Sequence, residues 1–262
     1  MINLTKNMSL AIEKIYKTNS LEGIHNSILK SLEKQNLLSS NRVLTDIGKR
    51  YAILNLPLNQ QCSALSIPYE TIDISYNKKP EPIVLQHYQK LGYLGICSEG
   101  IGILTILKAL MLDKLIEYNI FKDRDDACNR YLEAQFTTLQ DRLNEIILSI
   151  SSISKNQYLK NFKEIISQPY IALSYPDLST AFASAMYDAI DTNIFIKIAK
   201  QFAEDPYTYR KGWPDLTLVK DKEVLFIEIK TNDKLHESQL ITIPIMSKIL
   251  PFRFSICKIN NS

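Results

Sequence analysis

The spacing of hydrophobic and polar positions changes near Gly212. Upstream of it, apolar residues recur mainly at helical spacing, as in segment 21–38 and in the apolar run 101–112. Downstream, the runs WPDLTLV and EVLFIEIK are rich in β-branched and large apolar residues, and a polar turn over 220–223 separates them. These runs predict a β-hairpin, and a helix over about 236–250 and a last strand, FRFSICKI, follow. The pattern predicts an α/β protein.

Residues 1–56 predict a small helical module. A short apolar patch at Val43 and Leu44 follows the first helical segment, and Thr45 can cap a second helix from Asp46 to Leu54. The run LEKQNLLSSNRVLTDIGKRYAIL resembles the recognition helix, wing and following helix of winged-helix domains, which place a helix in a DNA groove. The module has eight Lys or Arg against four acids, in a chain of net charge +3. Two interpretations stay open: DNA binding, or a packing subdomain with a solvated basic face.

Residues 57–81 predict a connector, because prolines are frequent, helical signals are few and only 71–74 looks extended. Helical spacing returns from Ile83 to about Gly92, and an apolar helix follows. Ser98 is its predicted N-cap, which puts Glu99 in the first turn. The domain over 82–262 then contains several further helices, with a helical insertion at about 121–193.

The composition excludes several classes of protein but does not indicate a function. Apolar residues at 45% and charged residues at 23% are typical of globular proteins, which argues against disorder. The four cysteines form no CxxC pair and the three histidines lack metal-ligand spacing, which argues against structural zinc. The longest apolar run is too short to cross a bilayer, and no secretory signal is visible. We therefore expect a cytoplasmic protein, associated with the nucleoid if it is bacterial.

The second strand of the predicted hairpin carries an unusual pair of charges. Side chains alternate along a strand, so Glu228 and Lys230 project to the same side as Val224 and Phe226. Burying a carboxylate and an ammonium in an apolar strand is costly without a purpose. The antiparallel partner begins with Asp215, which should lie near the end that bears Glu228 and Lys230. An edge-strand set of salt bridges is the structural alternative.

This combination suits phosphodiester hydrolysis. Mg²⁺ commonly takes one or two carboxylates as ligands, together with waters and phosphate oxygens. Asp215 and Glu228 can supply those carboxylates. A bound metal neutralises charge on the phosphate and lowers the pKa of an attacking water. Lys230 can orient that water or stabilise the transition state as a fixed positive charge. The residues alone therefore favour a Mg²⁺ site.

The pattern Pro214-Asp215 followed by Glu228-Ile229-Lys230 is that of the PD-(D/E)xK nucleases. The flanking run RKGWPDLTLV…VLFIEIKTNDKLHESQ resembles the VRR-Nuc subfamily, and LQHYQKLGYLGICSEGIGILTILKALMLDKLI resembles the matching segment of the Fanconi-associated nucleases. The resemblance implies a restriction-endonuclease-like core, dependence on Mg²⁺ or Mn²⁺, and cleavage of flap or branched DNA, most simply by a monomer, with a dimer still possible.

By the same resemblance, Glu99 becomes the fourth catalytic residue beside Asp215, Glu228 and Lys230. The implied metal ligands are Glu99, Asp215, Glu228 and Ile229. The implied substrate contacts are Arg210, Lys211, Lys234 and Gln239. If the resemblance is set aside, Glu99 could simply be a charge at a helix N-terminus.

The chain departs from the family pattern in two places. Ser238 stands where the family commonly has a lysine, and the loop after Lys230 is shorter and begins Thr231-Asn232. These changes bear on DNA selection more than on cleavage. A repair nuclease, a Holliday-junction resolvase or restriction-type defence enzyme, and a non-catalytic DNA-binding protein all stay open.

Overall fold

A mixed five-stranded sheet forms the centre of the protein. The computed structural model describes residues 4–260. The strands are β1 (Tyr69–Asp73), β2 (Leu94–Cys97), β3 (Leu216–Lys220), β4 (Glu223–Lys230) and β5 (Arg253–Asn260). Their order is β1-β5-β4-β3-β2, with β1, β5 and β4 parallel and β3 antiparallel to β4 and β2. This architecture confirms the predicted α/β class.

Helices cover the sheet and make up most of the described chain. Those before β2 are α1 (Lys6–Thr18), α2 (Asn26–Lys34), α3 (Asp46–Asn55), α4 (Leu58–Leu65) and α5 (Glu81–Lys90). Those between β2 and β3 are α6 (Ile101–Tyr118), α7 (Arg124–Asn129), α8 (Leu132–Thr138), α9 (Leu143–Leu148), α10 (Lys155–Ile166), α11 (Pro169–Ser174), α12 (Thr180–Ala189), α13 (Thr192–Glu204) and α14 (Pro206–Tyr209). Between β4 and β5 lies α15 (Glu237–Ile249). Across residues 4–260, no helix combines the length and the apolar character needed to span a membrane.

The N-terminal helices have a small core of their own. Ile12, Leu32 and Leu37 are fully buried within a cluster separate from the main one. A bridge between Leu38 and Leu44 forms a short antiparallel turn between α2 and α3. Helix α3 starts as predicted, because the Thr45 hydroxyl accepts a hydrogen bond from the Gly48 N–H at 3.0 Å. The module therefore folds around local contacts.

The stretch 57–81 is more regular than a connector. It contains α4, which the sequence did not predict, and β1, which includes part of the predicted extended piece. Gln61 on α4 is fully buried and donates to the Ile53 carbonyl at 3.1 Å, while its Oε1 accepts from the Leu235 N–H at 2.9 Å. Helix α4 is held by such tertiary bonds, and eight residues are too few to show a clear helical period.

The predicted hairpin is confirmed and lies in the middle of the sheet. Leu216 pairs with Ile227, and β4 is flanked by β3 on one side and β5 on the other. The edge-strand interpretation of its charged residues is therefore wrong. Strand β2 was not predicted, since it is only four residues long and contains Gly95. A Cβ at Gly95 would lie 2.3 Å from Leu218, so glycine permits the close packing of β2 on β3.

Candidate active site

Asp215 immediately precedes β3 and is fixed from two sides. Its Oδ2 accepts a hydrogen bond from the Ile229 N–H at 2.8 Å, and its carbonyl accepts from the Ser98 N–H at 3.1 Å. The first bond ties it to β4 and the second to the end of β2. The aliphatic side chain of Ile229 has no ligand atom, so only its backbone carbonyl could contribute to a metal site. The side chain of Asp215 is thus held beside the strand that carries Glu228.

Glu228 and Lys230 form a buried ion pair. Lys230 Nζ lies 2.8 Å from Glu228 Oε1 and 3.1 Å from Asp233 Oδ2. Glu228 is 1% exposed and Lys230 3% exposed, so water does not screen the pair. Glu228 Oε2 is also buried but has no hydrogen-bond partner among the described residues. One oxygen of this carboxylate is therefore held by the protein, while the other is available to a further group.

Gln239 holds the same Glu228 oxygen from the opposite side. Its Nε2 donates to Glu228 Oε1, and its own Oε1 accepts from the His236 N–H at 2.9 Å at the start of α15. The capping interaction fixes the amide oxygen of Gln239, and Glu228 fixes its amide nitrogen. The resemblance implied substrate binding for Gln239, which stays a prediction; in the structure its amide holds the Glu228 carboxylate.

Two glycines allow the elements around the site to approach closely. Gly212 has φ +76°, and a Cβ there would lie 2.2 Å from the Ser238 carbonyl oxygen. Gly100 faces Trp213, and a Cβ there would lie 2.6 Å from the indole ring. Trp213 is itself buried and donates from Nε1 to the Tyr209 carbonyl at 2.8 Å. These contacts press the β2–α6 turn and the start of α15 against the segment that leads into Asp215.

Glu99 lies in a turn, not in the first turn of a helix. Helix α6 begins at Ile101 with Gly100 as its N-cap residue, and Ser98 Oγ is buried without a hydrogen-bond partner among residues 4–260. The predicted Ser98 cap is therefore wrong. Glu99 has φ 45°, a left-handed conformation that costs energy for a residue with a Cβ. The turn is imposed by the pairing of β2 with β3, which ends beside Asp215.

A cavity of about 690 Å³ opens in front of this group. Glu99 and Asp215 both line it, whereas Glu228 and Lys230, buried behind Asp215, do not. Further acidic side chains on its wall are Glu81, Glu133 and Asp177. Basic side chains on its wall are Lys79, Arg210 and Lys211. Acidic and basic side chains thus share the lining of one cavity.

The predicted substrate-binding cations divide into two groups. Arg210 and Lys211 line the cavity, and Arg210 Nη1 donates to Glu133 Oε1 at 2.7 Å. Lys234 instead donates to the Asn55 carbonyl at 3.0 Å, at the end of α3. Its position links the loop after β4 to the helical module. A role for Lys234 in substrate binding stays a prediction.

Burial and neighbouring charges shift the pKa values of Asp215, Glu228 and Lys230. Burial raises the pKa of Asp215 to about 6, with the charges of Glu81 and Glu99 adding to the shift. Burial also raises the pKa of Glu228, and the charge of Asp215 reinforces it while Lys230 opposes it. For Lys230, burial lowers the pKa, but Glu228 and Asp233 outweigh it and the net shift is upward. Lys230 therefore stays cationic in a site that otherwise has excess negative charge.

Two acidic residues of the cavity were not recognised as site residues from the sequence. Glu81 lies in the first turn of α5, lines the cavity, and has a buried Oε2 without a hydrogen-bond partner in the described chain. Asp177 also lines the cavity and lies just before α12, which begins at Thr180 with Ser179 as its cap. The only sequence signal for Glu81 was an acid just before the apolar helix.

The carboxylates fit a metal that takes only part of its shell from protein. Within residues 4–260, no three His, Cys, Asp or Glu side chains are grouped closely enough to enclose a metal ion by themselves. Mg²⁺ usually needs only one or two carboxylates, with water and phosphate oxygens as the remaining ligands. Asp215 and the unpartnered oxygen of Glu228 match that requirement.

Comparison with known proteins points to one group. No family model matches the chain. It is 26% identical over 178 residues to the Fanconi-associated nuclease 1 homolog of Schizosaccharomyces pombe, a match covering 63% of this chain and 25% of that protein. The crystal structure of paFAN1 bound to 2nt 5′flap DNA with gap matches with a TM-score of 0.54 at 16% identity, covering 97% of this chain and 52% of that one. The complex of paFAN1 with 1nt 5′flap DNA matches with a TM-score of 0.52 at 17% identity, covering 98% and 52%.

The aligned region is only part of each relative. This chain spans about a quarter of the length of the curated relative and about half the length of the solved chains. The solved structures share the fold, and the curated relative adds similarity in sequence. By sequence and by fold, the chain is therefore similar to part of the Fanconi-associated nucleases.

Proposed function

We propose that the chain is a metal-dependent, structure-specific DNA nuclease that hydrolyses phosphodiester bonds in flap or branched DNA, with a role in DNA repair. The observation that carries the proposal is the buried Glu228 carboxylate on a central strand. Lys230 and Gln239 hold one of its oxygens, and the other is unpartnered beside Asp215. A fully buried acid with one unpartnered oxygen is costly unless a cation or substrate uses it.

The catalytic roles follow from the geometry. Asp215 and the unpartnered oxygen of Glu228 would hold Mg²⁺ or Mn²⁺, and the resemblance adds Glu99 and the Ile229 carbonyl as further ligands. The metal, when bound, would activate water and offset charge on the phosphate. Lys230 presents an ammonium that Glu228 and Asp233 keep in place, and it can stabilise negative charge in the transition state. Arg210 and Lys211, which line the cavity, are suited to bind the backbone on either side of the cleaved bond.

The DNA partner is proposed from the relatives and from the charge of the chain. The solved paFAN1 structures are complexes with 5′flap DNA, and this chain shares their fold. We propose a restriction-endonuclease-like core over 82–262 together with β1, which completes its sheet, and the α1–α3 module as a winged-helix-like contact to duplex DNA. The excess of basic residues over residues 1–56 supports that role.

The experiment is a panel of labelled flap, nicked, four-way and plain duplex DNA with Mg²⁺ or Mn²⁺. We expect the 5′-flap substrate to be cut fastest. A preference for four-way junctions together with a dimeric mass would favour a resolvase instead. Tight binding of every substrate without cleavage would contradict a nuclease and favour a DNA-binding protein.

The raised pKa of Asp215 predicts a pH-dependent stability. In the folded, metal-free protein this carboxyl has a pKa of about 6, whereas an unfolded aspartate titrates near ~3.9. Stability that is fully present below that lower value, on the order of 3 kcal/mol, is therefore lost as the pH rises through the folded pKa. In thermal unfolding with EDTA, the stability of Asp215→Asn relative to the unmodified protein should rise between pH 4 and pH 7. The expected rise is of the size of the stability that the unmodified protein loses over this range.

Added Mn²⁺ should reverse this trend, because it binds the ionised carboxylates. The rise in Tm that Mn²⁺ produces should be larger at pH 7.5 than at pH 5, because the Asp215 carboxyl is ionised at the higher pH and largely protonated at the lower one. If the difference between the Asp215→Asn and unmodified proteins in EDTA were the same at every pH, Asp215 would not have the raised pKa.

A further inference from the structure

One wall of the catalytic cavity is aromatic. Tyr131, just before α8, and Tyr175, just after α11, both line the cavity that Glu99 and Asp215 line from the other side. Tyr131 is 53% exposed although it is a large aromatic residue. We call Tyr131 and Tyr175 the tyrosine wall. Both residues come from the helical connection between β2 and β3, and the proposed chemistry gives neither of them a role.

The tyrosine wall lies within electrostatic reach of the catalytic carboxylates. Burial raises the pKa of Tyr175, and the neighbouring Tyr170 and Glu99 contribute further. A hydrogen bond with the Tyr170 phenol raises the pKa of Tyr131. Tyr170 thus joins the two wall residues into one cluster, and Glu99 lies close to one end of it.

The surroundings of the tyrosine wall suit a nucleotide. The cavity of about 690 Å³ falls in the ~300–1,000 Å³ range of small-ligand sites. Lys79, Arg210 and Lys211 line the same cavity and can neutralise phosphates. Exposed tyrosines scattered over a surface need no explanation, but these two share one concave wall with the catalytic group.

We propose that Tyr131 and Tyr175 form a stacking subsite for one unpaired nucleobase next to the phosphate that is cleaved. The inference rests on the proposed nuclease function and names the feature of the substrate that this cavity selects. Aromatic side chains stack on any base whose face is free, and bases inside a duplex have their faces covered by their neighbours. The tyrosine wall therefore favours a flapped or frayed nucleotide over continuous duplex.

The first test uses the unmodified chain with Ca²⁺ in place of Mg²⁺, to slow cleavage. Flap DNA carries the fluorescent base 2-aminopurine either at the nucleotides flanking the cleaved bond or deep in the duplex. We expect stacking to quench the fluorescence at one flanking position and to leave the duplex position unchanged. Equal responses at all positions would overturn the subsite, and this result does not depend on any variant folding.

The second test compares variants in cleavage assays. The double variant Tyr131→Ala/Tyr175→Ala should raise KM for flap DNA about 10-fold or more and lose the quenching, with a smaller change in kcat. Tyr131→Phe/Tyr175→Phe should retain both properties, because the ring and not the hydroxyl does the stacking. The control is Phe121→Ala, an exposed aromatic residue of the same helical connection that lines a different pocket.

The outcomes separate the two proposals. If the unmodified chain cuts no DNA, the nuclease assignment fails. If it cuts flap DNA and the double alanine variant retains its KM and its quenching, only the stacking subsite fails. A loss in the phenylalanine pair equal to that in the alanine pair would also overturn stacking.

Discussion

Asp215→Asn and Lys230→Met are each expected to slow DNA cleavage by roughly 10²- to 10³-fold or more, with the fold intact. The asparagine side chain still offers an oxygen to the Ile229 N–H, which donates to Asp215 at 2.8 Å, but it no longer carries charge for a cation. Methionine keeps the length of the Lys230 stem and removes its ammonium. Glu228 would then keep only Gln239 as a partner, and burial would favour its protonated form.

The measurement is single-turnover cleavage of 5′-flap DNA, with DNA affinity measured separately by fluorescence anisotropy. Affinity should change little, because both substitutions leave the basic side chains that line the cavity untouched. Asp177→Asn is the matched control, since Asp177 lines the same cavity but lies outside the strand pair. Its cleavage rate should stay close to that of the unmodified protein. Unchanged rates in Asp215→Asn and Lys230→Met would contradict their assigned roles.

Gly212→Ala is expected to destabilise the protein by more than about 2 kcal/mol and to reduce cleavage with it. The new Cβ would lie 2.2 Å from the Ser238 carbonyl oxygen and would also occupy a backbone conformation with φ +76°. Relief requires the start of α15 to move away from the segment before β3. Gln239 lies in that first turn, so its hold on Glu228 would loosen as well.

Gly23→Ala separates backbone strain from collision. Gly23 has a similar φ of +69°, but the nearest atom to its Cβ would be Lys14 Nζ, the end of a flexible side chain, at 3.4 Å. We expect it to cost only about 1 to 2 kcal/mol and to leave cleavage unchanged. Urea unfolding of both variants gives the comparison. Equal losses of stability would show that the packing of Gly212 on α15 contributes nothing beyond backbone strain.

The strand pair could be predicted from the sequence because its information is local. β-Branched runs separated by a polar turn predict the hairpin, and strand alternation alone puts Glu228 and Lys230 on one face. The position of Asp215 opposite them follows from antiparallel pairing. That part of the candidate site needs no knowledge of the remaining fold.

The other parts depend on contacts between distant segments. Glu99 was expected in a helical turn, but the short strand β2 pairs with β3 and forces the turn that bears it. Glu81 and the tyrosine wall reach the cavity from separate helical segments, and no local period connects them to Asp215. Gln239 could be placed on its helix from the sequence. Its hydrogen bond to Glu228 required the packing of α15 beside β4.

The most direct measurement is cleavage of a labelled 5′-flap DNA by purified, EDTA-treated chain before and after Mn²⁺ is restored, with Glu228→Gln in parallel. The substitution keeps the shape of the side chain and removes the charge of its unpartnered oxygen. We expect cleavage only in the unmodified protein and only with the metal present. Cleavage that persists in EDTA, or that is equally fast in Glu228→Gln, would contradict a metal-dependent nuclease centred on Asp215, Glu228 and Lys230.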